Sequence, residues 1–181
     1  FFVTSCVVQA ASGFAVDRYG PRPVLFGGLA LLAAAAFGYA ASSSYWMLAM
    51  FSIVAGVGNG VFHPVDYTLL NRKVSARRLG HAYSVHGITG SLGWALAPAM
   101  LVPITLMTSW RVALACAGLF AVVVLLVLLV HRDKLALAAP AAEKSAAAGV
   151  AAEGNFGFLR IPAVWMCFAF FFFYAIALGI V

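Results

Sequence analysis

The sequence predicts an all-α integral membrane protein, a bundle of about six transmembrane helices of which the first and last are incomplete. Three observations carry that prediction. The chain of 181 residues is 65% hydrophobic and only 9% charged, whereas a soluble domain carries roughly a quarter charged residues. Its apolar residues gather into six long runs, about 1–14, 23–42, 45–70, 80–103, 109–130 and 162–181. Its basic residues lie in short clusters between those runs instead of being spread over one face.

The interior runs are each long enough to cross a hydrocarbon core of roughly 30 Å as a helix. They are much longer than the roughly ten residues of a barrel strand, so helices alone satisfy the backbone in lipid. The first run is short, the last is still apolar where the sequence stops, and the chain opens on Phe1. The expectation from these ends is a fragment of a longer protein. No charged n-region with a cleavage site marks the first run as a signal peptide.

Orientation follows from the charges. Arg18 and Arg22 follow the first run, Arg72, Lys73, Arg77 and Arg78 the third, and Arg132, Lys134, Lys144 and Arg160 the fifth. Arg111 alone is assigned to the other side, so ten of the eleven Lys and Arg residues share one side, which the positive-inside rule makes cytoplasmic. Tyr45, Trp46 and Trp110 mark the outer interface. The net charge of +6 is thus read as a topology signal; without a basic face interleaved with aromatics it does not indicate nucleic acid. Cys6, Cys116 and Cys167 lie apart within apolar runs, without metal or redox spacing.

Residues 131–160, rich in Ala with scattered charge, Pro140, Gly149 and Gly154, read as a cytoplasmic linker. The expected organisation is a helical bundle over 1–131, a linker over 132–160 and the first helix of a second bundle over 161–181.

Two stretches carry the functional reading. The first, GFAVDRYGPRP at 13–23, places Asp17, Arg18 and Arg22 between two apolar runs. A turn of about eight residues is expected here, with Gly13 permitting close helix approach and Gly20 and Pro21 supplying turn geometry. Asp17 is out of place beside anionic headgroups and calls for a partner, such as Arg18 or a helix N-terminus.

The second, GVGNGVFHPVDYTLLN at 56–71, has too few correctly spaced glycines for a dinucleotide loop and no strand context, so no cofactor is expected. The glycines suit close helix packing, and Pro64 frees a backbone group that His63 could satisfy. Asn59, His63 and Asp66 are spaced by four and three, one face of a helix. The antiparallel pairing of the third and fourth runs brings His86 to the same depth, and Trp94 lies further along as a stacking candidate. Ionisable groups are costly inside a membrane and face a bundle interior or watery cavity. Asn59, His63, Asp66, His86 and Trp94 are therefore the candidate proton or substrate site. An anchoring role, with Asp66 paired to Arg72 or Lys73, is the competing reading.

The stretch at 13–23 resembles the G-x-x-x-D-R-x-G-x-[RK] loop, motif A, of the major facilitator superfamily. Gly13, Asp17, Arg18, Gly20 and Arg22 match, and Pro21 departs. The resemblance implies helices two to seven of a twelve-helix transporter, with one helix before Phe1 and about five after Val181. It also implies that the motif A charges help close the cytoplasmic side. VFHP in the next stretch resembles the fosmidomycin-resistance type of drug efflux protein. Only Gly93, Ala97 and Pro98 stand where antiporters of the family have GxxxGPxxGG, and Ser52 stands where many members have an arginine.

The function expected is secondary active transport of a small organic molecule by alternating access, as proton-coupled efflux from a bacterial inner membrane. Uptake of an organic acid is the alternative. An intramembrane enzyme or a non-transporting receptor is the reading of another class, but no HExxH, nucleophile elbow or metal-ligand cluster favours an enzyme. The expected partners are the lipid bilayer, a small-molecule substrate and protons, with no nucleic acid, no metal, and a monomer when full length.

Overall fold

The computed structural model describes residues 1–137 and 160–180. The chain divides after Leu137 into two units, and the greater part of the expected linker, 138–159, lies outside the described residues.

The first unit is helical throughout its described length. Helices α1 (Phe2–Tyr19), α2 (Pro21–Ala41), α3 (Tyr45–Asn59), α4 (Phe62–Lys73), α5 (Leu79–Met107) and α6 (Trp110–Val130) follow one another, with short 3-10 turns at Ala76–Arg78 and Arg132–Leu135. Among the described residues four stretches are long and apolar enough to cross a membrane: Pro21–Ala41, Tyr45–Lys73, Ala76–Met107 and Trp110–Val130. In the second unit, α7 (Pro162–Ile180) begins on a proline, the residue whose missing N–H is not needed in a first turn.

Several expectations are corrected. The charged turn between the first two runs is a single residue: α1 continues through Asp17 and Arg18 to Tyr19, and α2 starts at Pro21. Gly20 has φ +83 and ψ 160 and donates its N–H to Val16 O at 2.8 Å. Only glycine adopts such a backbone without strain. Among the described residues nothing lies within 4 Å of a Cβ added at Gly13, so no described helix approaches it closely.

The run at 45–70 is also not one helix. It breaks between Asn59 and Phe62, and Pro64 accounts for the break. Having no N–H, Pro64 cannot bond to the carbonyl of Gly60 four residues earlier. Ser12 of α1 donates its hydroxyl to that carbonyl at 3.1 Å in a buried position. The freed backbone group is thus satisfied by Ser12 and not by His63. A second acceptor, Gln9 O, lies 3.1 Å from the same hydroxyl.

A double-mutant cycle tests this link. Ser12→Ala leaves a buried carbonyl unpaired and is expected to cost about 1–3 kcal/mol. In a Pro64→Ala background the amide at position 64 can take over, so the same change should cost less than half as much. Thermal unfolding of the four proteins in detergent gives the coupling energy, and additive losses would contradict the assignment.

Small residues let the helices approach. A Cβ on Gly56 would lie 2.7 Å from Phe1 O, and one on Gly60 2.7 Å from Ser5 O, so these glycines face α1. Gly58 faces α2, its added Cβ falling 2.8 Å from Gly28 O. Buried Ala33, Ala35 and Gly38 of α2 continue this close packing, the usual basis of helix association in lipid. Val16, Leu25 and Val65 form a core where α1, α2 and α4 meet, flanked by Phe62, Leu69 and Leu128. Helix α5 touches α6 and α4 but has no buried residue.

Candidate functional site

The basic clusters of the first unit converge on one end of the bundle. Arg22, in the first turn of α2, donates to Arg132 O at 3.5 Å, and Lys73, at the end of α4, donates to Lys134 O. Two helix ends, the start of α2 and the end of α4, therefore hold the 3-10 turn that follows α6. At the opposite end Arg111 donates to Ala40 O at 3.1 Å and Ser42 O at 2.8 Å and lies over the Trp110 ring at 4.4 Å. Its charge is used to cap the carbonyl end of α2. Ser44 and Ser109 cap the N-termini of α3 and α6 there, accepting from Met47 N and Val112 N.

Within the motif at 13–23, Asp17 and Arg18 are exposed on the last turn of α1. Arg18 lies over the ring of Tyr19, 5.4 Å from its centroid. It does not pair with Asp17, which has no ion pair among the described residues.

The polar cluster forms where α4 and α5 run antiparallel from the turn at Ala76–Arg78. His86 Nε2 lies 3.9 Å from Asp66 Oδ2, close enough for charge interaction and too long for a direct hydrogen bond. Their side chains are 34% and 31% exposed, so the pair is partly shielded yet reachable. His63 joins through Tyr67, whose ring centroid is 5.6 Å from that of His63 and 6.2 Å from that of His86. Tyr83 packs edge-on against Tyr67 at 5.4 Å. One carboxylate, two imidazoles and two phenols thus share a compact site that can hold, exchange or screen a single charge.

The other two predicted members lie elsewhere. Asn59 ends α3, on the far side of the break, and donates to Ser5 Oγ of α1 at 2.8 Å. The break removes it from the face it would have shared with His63 and Asp66. Trp94 is 77% exposed and stands eight residues beyond His86, about 12 Å along α5. Lys73 is turned to Lys134 O, while Asp66 faces His86. Ser52 accepts or donates one hydrogen bond with Tyr39 at 2.7 Å, tying α3 to α2.

Sequence reasoning missed Tyr67 and Ser12 as members of these networks. Tyr67 carried a signal, standing four residues after His63 and therefore above it on the helix. Ser12 carried none, because its partner is 48 residues away. Among the described residues no group of three His, Cys, Asp or Glu side chains could hold a metal ion.

Over 93 residues the chain is 29% identical to a multidrug resistance protein B homolog of Mycobacterium tuberculosis, covering 51% of this chain and 17% of that protein. Over 132 residues it is 30% identical to the membrane sensor protein UhpC of Salmonella typhimurium, covering 71% of this chain and 29% of the relative. The matches therefore span well under half the length of these relatives. No solved structure matches the chain. The family model of the Major Facilitator Superfamily matches residues 1–181. With four membrane-length helical stretches among the described residues, a motif A spacing at 13–23 and a family match over its whole length, the chain belongs to the major facilitator superfamily, a family of transporters and not of enzymes.

Proposed function

We propose that this chain forms part of a proton-coupled exporter of drug-like small molecules that works by alternating access. The observation that carries the proposal is the Asp66–His86 pair, 3.9 Å apart across α4 and α5. A carboxylate facing an imidazole inside a membrane bundle can pass between protonation states as its surroundings change. The resemblance to the multidrug resistance homolog supports export as the direction. In this reading 1–131 is an amino-terminal bundle without its first helix, 132–160 a linker, and 161–181 the start of a second bundle. The two bundles rock around a midplane substrate site, and Asp17, Arg18 and Arg22 help close one side. The functional unit is a monomer.

The test is flux. Complete transporter in proteoliposomes with an imposed pH gradient should accumulate a labelled lipophilic drug against its concentration gradient. Accumulation equal to that of protein-free vesicles would overturn the proposal. A second reading, a non-transporting sensor, is supported by the sensor relative, which aligns with 71% of the chain. It predicts solute binding without accumulation in the same assay.

The orientation belongs to the same proposal, with the basic end cytoplasmic in a bacterial inner membrane. In a background lacking Cys6, Cys116 and Cys167, Ser75→Cys and Ser145→Cys should resist an impermeant thiol reagent in intact cells. Ser43→Cys should label. Labelling at position 75 from outside would invert the topology.

A further inference from the structure

We propose that the basic end of the first unit holds an anionic phospholipid, with its phosphate between Arg22 and Arg132. A cleft of about 560 Å³ opens there, lined by Tyr19, Arg22, Phe26, Leu129, Arg132 and Asp133 among others. Each guanidinium offers five N–H donors. Arg22 uses one on Arg132 O, and the Arg132 side chain makes no hydrogen bond or ion pair among the described residues. Asp133 also lines the cleft but forms no ion pair with either arginine. The donors that face the cleft are thus unspent, and its formal charge is positive.

The arrangement beneath the arginines identifies the source of the phosphate. Arg22 lies in the first turn of the candidate span Pro21–Ala41, and Arg132 two residues after the end of the span Trp110–Val130. Phe26 is four residues into α2 from Arg22, and Leu129 is three residues back from Arg132 into α6, so each helix places an apolar side chain one turn deeper than its arginine. Charge at the interface over an apolar wall matches a lipid, which carries a phosphate and an acyl chain in that order. A free phosphate would use the arginines and leave the wall idle. The inference requires membrane insertion only and does not depend on the direction or coupling of transport.

Native mass spectrometry of the full chain released from micelles tests it, with phosphatidylglycerol and phosphatidylcholine supplied in equal amounts. Phosphatidylglycerol should be retained preferentially, and Arg132→Gln should lower its retention about fivefold, the scale of one basic residue at an anionic surface. Because the Arg132 side chain has no internal bond and Arg22 contacts its backbone carbonyl, the variant should keep the melting temperature of the parent. Arg77→Gln, on the α4–α5 turn, should not alter retention. Equal retention of the two lipids would overturn the proposal, as would unchanged retention in Arg132→Gln. Displacement of the lipid by millimolar inorganic phosphate would also overturn it, by making the cleft a soluble-anion site.

Discussion

Replacing Asp66 by asparagine in the complete transporter is expected to abolish gradient-driven flux while leaving substrate exchange across a vesicle without a gradient. The argument is thermodynamic. A group couples protons to transport only if its proton affinity differs between the two access states, because a ligand bound equally in both shifts nothing. Asparagine keeps the size and polarity of Asp66 but cannot titrate. Driven accumulation should fall to the level of protein-free vesicles, whereas under the proposed alternating access exchange should continue. His86→Gln removes the facing imidazole at 3.9 Å and should weaken driven flux less than Asp66→Asn, because the carboxylate still titrates. His63→Gln, which reaches the pair only through Tyr67, should weaken it least. If Asp66 only anchors α4 to α5, all three changes lower the amount of folded protein and both activities fall together. Driven flux and exchange, each normalised to protein in the membrane, separate the two outcomes.

Valine at position 58 is expected to be among the most damaging single changes to stability, at about 3 kcal/mol, the upper end of the usual overpacking range. Gly58 is buried, and its added Cβ would fall 2.8 Å from Gly28 O and 3.0 Å from Leu31 Cβ. The first of these is backbone and cannot rotate away, so α2 and α3 must move apart. Gly27, adjacent to Gly28, has nothing within 4 Å of an added Cβ among the described residues. Gly27→Val should therefore stay within about 0.5 kcal/mol of the parent. Thermal unfolding in detergent compares the two directly. Equal losses would mean that the α2–α3 contact tolerates separation.

The helices and the clustering of charge were legible because both depend on local composition. Apolar length marks a span, and basic residues mark its ends, wherever the partners lie. The pairing of Asp66 with His86 was also within reach, since an antiparallel hairpin fixes depth by counting from its turn. What composition could not convey was the local backbone at Gly20 and Gly60. Pro64 signalled a disturbance, but whether a proline bends or breaks a helix depends on what meets the freed carbonyl, and Ser12 is supplied by a distant helix. Asn59 was misassigned for the same reason: counting by 3.6 residues assumes an unbroken helix. The single-residue joint at Gly20 was hidden because charged residues resemble a loop, although Asp17 and Arg18 are helical.

That joint limits how the first two helices can move. With one residue between them, Tyr19 and Pro21 stand two Cα steps apart, at most about 7.2 Å, so the end of α1 and the start of α2 are held side by side. Three residues, Ser42 to Ser44, separate α2 from α3 at the other end. The pair α1–α2 therefore behaves like a clothes-peg with its spring at Gly20, able to spread only at the end remote from the basic clusters.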